Sequence, residues 1–108
     1  MQVYWLSHNR AFWSVGNITK KFTGTIHTEE TRTNELDLSD KEVRVLIRED
    51  YPITELLSKP VTITRRNSIE FLFTEGEVPE IGEWKVEFII LENGEEIGIT
   101  HHEDFDVR

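Results

Sequence analysis

Gly82–Thr100 reads GEWKVEFIILENGEEIGIT, and its pattern decides the fold. Trp84, Val86, Phe88 and Ile90 alternate with Lys85, Glu87, Ile89 and Leu91. Successive strand residues point to opposite faces, so a period of two gives one face to a core and the other to water. Asn93-Gly94 then interrupts the run, and Glu96–Thr100 resumes it. Asn-Gly supplies the positive φ angles of a two-residue type I′ turn, so the stretch predicts a β-hairpin.

The same rhythm recurs outward in both directions. Val43, Val45 and Ile47 alternate with Arg44, Leu46 and Arg48. Val61 and Ile63 form a shorter run, as do Ile69, Phe71 and Phe73. Phe105 and Val107 alternate with Asp104, Asp106 and Arg108. Phe22 and Ile26 fit a further strand, where Gly24 marks either a bulge or a close backbone approach. Arg66-Asn67 suits the turn of a second hairpin, and Thr28–Asn34 is polar throughout and reads as a loop. Tyr51–Leu57 (YPITELL) breaks the alternation: Ile53, Leu56 and Leu57 sit at helical spacing, which predicts a loop with a short helical turn near residues 53–57. Eight or nine short strands with frequent turns predict an all-β protein, a two-sheet antiparallel immunoglobulin-like β-sandwich.

With 108 residues the chain fits one domain, 1–108. Residues 1–19 read as an N-terminal hairpin or extension, with Val3–Leu6 and Ala11–Val15 as its arms. A formal net charge of -9 disfavours nucleic acid and anionic membrane surfaces as partners. No apolar stretch is long enough to cross a bilayer, and MQVYWLSHNR lacks the pattern of a signal peptide. There is no cysteine, hence no disulfide and no thiolate chemistry.

Chemistry-bearing motifs are scarce. His101-His102-Glu103-Asp104 has metal-ligating residue types, but adjacent strand residues face opposite sides, so no metal site is expected. The acidic pairs Glu29-Glu30, Glu49-Asp50 and Glu95-Glu96 lie in polar runs that read as solvated surface rather than a two-carboxylate cleft. Asn17-Ile18-Thr19 is a glycosylation sequon read as coincidental. No phosphate loop, nucleophile elbow or zinc-protease helix is present, so neither catalysis nor a cofactor is expected.

Two groups of residues suggest binding instead. Tyr4-Trp5 and Phe12-Trp13 are adjacent aromatic pairs; on strands, one member of each reaches the core, and the other is available to stack on a sugar or a partner. Leu46, Leu72 and Ile89 fall at outward positions of three strands and form one apolar patch if those strands are neighbours.

The run Leu36–Arg48 (LDLSDKEVRVLIR), the strand Gly82–Phe88 (GEWKVEF), the hairpin Glu92–Glu95 and the closing strand Asp104–Val107 together resemble the N-terminal immunoglobulin-like domain of phage baseplate upper proteins. They are similar also to anchoring or shoulder domains of siphophage tail-tip proteins. The resemblance spans about Lys20 to Arg108 and leaves out residues 1–19. It implies a structural role in a virion tail, docking to other phage tail proteins, no enzymatic activity and no cofactor. A carbohydrate-binding or host-receptor module that engages a surface glycan through the N-terminal aromatics is the alternative expectation.

Overall fold

A computed structural model describes residues 2–7, 12–28, 36–50, 53–101 and 103–108. The described residues form ten strands, in chain order β1 (Gln2–Ser7), β2 (Phe12–Trp13), β3 (Phe22–His27), β4 (Glu42–Asp50), β5 (Ile53–Pro60), β6 (Thr62–Ile63), β7 (Ser68–Phe71), β8 (Gly82–Glu92), β9 (Glu95–Thr100) and β10 (Glu103–Val107). No helix occurs among the described residues. The molecule is an all-β sandwich.

One layer is built around β8. Its one side pairs with β4, and β4 pairs with β5 at the edge. Its other side is shared: β10 lines the N-terminal half and β9 the C-terminal half. The second layer runs β1-β3-β7-β6. β1 joins the layers, pairing antiparallel with β3 and parallel with β9. At the far side the backbone N–H of Val61 donates to the Val43 carbonyl at 2.9 Å, nearly closing the sandwich into a barrel. The expected antiparallel arrangement thus carries two short parallel ladders, β1–β9 and β2–β10.

The hairpin that decided the fold is present: Asn93 and Gly94 take φ of 51° and 82° between β8 and β9. Alternation predicts burial well. Val43, Val45, Ile47, Ile69, Phe71, Phe73, Trp84, Val86, Phe88, Ile90, Phe105 and Val107 are buried, while Val61 and Ile63 are half-buried at the margin. Val3, Trp5, Trp13, Phe22, Ile26, Leu36 and Leu38 complete the core. Its centre is aromatic, with Phe22 and Phe71 stacked at 5.0 Å and Trp13 edge-on to Phe73 at 5.4 Å. Gly24 is a close approach: a Cβ there would lie 2.9 Å from the Leu6 carbonyl oxygen. The Arg66-Asn67 turn connects β6 to β7, and buried Asn67 donates from Nδ2 to the Ile26 carbonyl at 3.1 Å.

Two expectations are corrected. The segment 53–57 is not a helical turn but the first part of β5, extended along β4. Leu57 lies opposite Ile47 and Glu55 opposite Arg48, so Leu56 is an extra bulged residue. A bulge shifts strand parity by one and reproduces the spacing that resembled a helix. Tyr51 and Pro52 lie outside the described residues. Among the described residues β1 pairs with β3 and β9, and β2 with β10, so the two do not form the hairpin that was one of the two expectations for residues 1–19. Both contribute to the sandwich itself. The loop read over Thr28–Asn34 falls mostly on residues 29–35, which are not among those described.

Candidate functional site

The outer face of the β5-β4-β8-β9 layer gathers three apolar side chains on adjacent strands. Leu46 on β4 lies opposite Glu87 of β8, and Ile89 of β8 lies opposite Arg44 of β4. Leu46 and Ile89 are therefore diagonal neighbours on one face, both half-buried. Ile99 of β9 lies directly opposite Ile89 and is 44% exposed. Leu46, Ile89 and Ile99 make an oblique apolar strip across three adjacent strands.

Charged residues bound the strip, and they are tied down. Arg48 Nε donates to Glu87 Oε1 at 3.2 Å, with both side chains mostly shielded from solvent. Arg44 Nη2 donates to the Ser58 carbonyl at 3.1 Å, and Lys85 pairs with Asp104. Satisfied charges around an apolar centre are the usual anatomy of a protein-binding surface.

Leu72 does not belong to this strip. It follows β7 in the other layer, where it is 43% exposed, and its carbonyl accepts a 2.5 Å hydrogen bond from Lys59 Nζ. Alternation gives its outward orientation but not its layer, since layer membership depends on long-range pairing. Sequence reasoning also missed Ile99. An uninterrupted two-residue hairpin would set Gly98 opposite Ile89 and turn Ile99 inward with Phe88. A register shift after Ile90, with Ile97 as the extra residue, places Ile99 outside instead. Gly98, beside the extra residue, is the one signal in EIGIT that marks such a shift.

The aromatic stacking candidates fare differently. Trp5 and Trp13 are each 2% exposed, so neither presents a face to a ligand. Their indole N–H groups donate to the carbonyls of His101 and Asn17, at 3.2 and 3.0 Å. A buried indole needs such an acceptor, and both tryptophans are core residues. Tyr4 is half-buried with its ring 5.6 Å from that of His101. The Phe12 side chain is not among those described.

Among the described residues the titratable clusters do not converge. His101 Nε2 lies 2.5 Å from Glu103 Oε1, and His102 falls outside the described residues. No group of three or more metal-ligating side chains meets among the described residues. Asn17 serves its own turn, its Oδ1 accepting from the backbone N–H groups of Thr19 and Lys20. The Glu77 carboxylate accepts hydrogen bonds from Lys59 Nζ and the Thr74 N–H. Burial pushes its pKa up, but hydrogen bonds from Lys59 and the Thr74 backbone outweigh this and hold it below its ordinary value.

At one end of the sandwich, an open groove of about 260 Å³ is lined by Leu38, Ser39, Ile63, Thr64, Arg65 and Arg66. Leu38 forms its buried floor, fixed by a 2.7 Å hydrogen bond from its N–H to the Arg66 carbonyl. Asp37 stands beside it. Its carboxyl is held below the usual range first by the Ser39 backbone N–H and hydroxyl, and then more weakly by Arg66 and Lys41.

No family model, curated protein or solved structure matches this chain.

Proposed function

We propose that this chain is a non-catalytic docking domain that binds a protein partner through the Leu46–Ile89–Ile99 strip. The observation that carries this reading is the continuity of the strip across β4, β8 and β9, bordered by charges already satisfied within the domain. Such a surface loses little on desolvating its border and gains from burying its centre. The setting we propose is a phage tail or baseplate, where the domain acts as a structural adhesion component. That setting is supported by the sequence resemblance of Leu36–Arg48 and Gly82–Val107. The glycan-binding alternative loses two of its stacking groups with the burial of Trp5 and Trp13.

Ile99→Asp tests the reading. Ile99 is exposed and its loss leaves no internal cavity, so the variant is expected to melt like the wild type. It is expected to lose at least tenfold in affinity for the tail partner, measured by co-sedimentation with phage particles carrying immunogold-detectable protein. A variant that still assembles normally removes the strip from the interface, and absence of wild-type protein from particles removes the phage setting.

A further inference from the structure

The groove between Leu38-Ser39 and Ile63–Arg66 has a chemistry opposite to that of the rest of the molecule. In a chain of net charge -9, most described basic side chains are neutralised where they stand. Lys21, Lys41, Lys59 and Lys85 each meet a carboxylate, as do Arg48 and, more loosely, Arg44 and Arg108. Lys20 sits over the Trp13 ring. Arg65 and Arg66 are exposed and form no ion pair within 4 Å among the described residues, although Asp37 lies near enough to Arg66 for the two charges to attract. They stand side by side on the bend between β6 and β7, at the rim of the groove.

We propose that this groove is a recognition site for carboxylate side chains of an acidic peptide segment. A guanidinium offers a planar fork of N–H donors that matches a carboxylate with two parallel hydrogen bonds. Two such forks in sequence suit two carboxylates of an extended segment. Beside them the half-buried Ile63 side chain offers apolar surface to the methylene portion of a glutamate. The overall negative charge does not veto this. Charges more than about 8 Å away are largely screened at physiological ionic strength, so the local pair dominates. The site lies away from the Leu46–Ile89–Ile99 strip and stands independently of it.

The test uses the full chain and a fluorescein-labelled hexaglutamate peptide, read by anisotropy, with hexaglutamine and inorganic phosphate as comparisons. Saturable, salt-sensitive binding of hexaglutamate is expected, weakened at least tenfold in R65Q/R66Q and unchanged in I99D. In the wild-type protein, amide chemical-shift changes on peptide addition are expected at Leu38–Ser39 and Ile63–Arg66. The proposal is overturned by absent binding, equal binding of hexaglutamine, or equal affinity in R65Q/R66Q. Shift changes confined to other residues, or displacement of the peptide by phosphate at equal charge concentration, would also overturn it.

Discussion

At the scale of single residues, burial here is governed by which of two neighbours faces inward. Each adjacent aromatic pair at the N-terminus had to split between faces, and that much was legible from strand parity. Parity alone does not say which member turns in. The structure turns in Trp5 and Trp13, each with a backbone carbonyl placed for its indole N–H. Gly24 was legible as a special position but ambiguous as to why. The 2.9 Å separation between a notional Cβ and the Leu6 oxygen settles the reason: β1 passes too close for any side chain. Gly24→Ala is therefore expected to force β1 and β3 apart and destabilise the fold by about 1–3 kcal/mol, the usual cost of overpacking. Urea denaturation measures it. An unshifted midpoint would mean that β1 moves away freely.

At the scale of elements, the informative position is where β8 changes partners. Val86 pairs with Glu103 of β10, and Ile89 with Ile99 of β9. Phe88 lies between them, and its buried N–H donates to Thr100 Oγ1 at 2.9 Å instead of to a ladder carbonyl. A hydroxyl here completes a sheet that would otherwise hold an orphaned donor. Thr100→Val keeps the shape and removes the acceptor, so it is expected to cost about 1–3 kcal/mol. Thr100→Ser is expected to stay near wild type, and thermal unfolding of the pair distinguishes the hydroxyl from the methyl. The strands themselves were largely legible, because amphipathic alternation is local. The bulge at Leu56 was not, since it is imposed by the partner strand, and the one at Ile97 left only the ambiguous trace of Gly98 beside it. That is why a helical turn was expected where β5 lies, and why Ile99 escaped notice as a surface residue.

At the scale of the whole molecule, the two layers are fastened at opposite margins by different means. On one side β1 belongs to both. On the other, Lys59 of β5 reaches across to the Leu72 carbonyl and to Glu77, at 2.5 and 2.7 Å, while packing over the Phe71 ring. Glu77 is held below its ordinary pKa of 4.5, so the unfolded chain binds its proton first as pH falls. Its contribution is fully present above about pH 4.5 and is lost as pH drops through the lower folded value. Glu77→Gln is expected to destabilise the protein at pH 7, with the difference from wild type shrinking steadily below pH 4.5. Parallel denaturation series at several pH values check this. A difference independent of pH would assign Glu77 a purely steric role. The layer pairing itself, and with it the place of Leu72 outside the apolar strip, follows from contacts between residues far apart in sequence and had no local signature.

The parallel ladders have a mechanical consequence. β1 and β2 run alongside β9 and β10 in the same direction, so tension between Gln2 and Arg108 slides these strands past one another. Sliding loads the cross-strand bonds together, whereas peeling would break them one at a time. A domain strung between two bodies through these ends would resist a steady pull better than its modest length suggests.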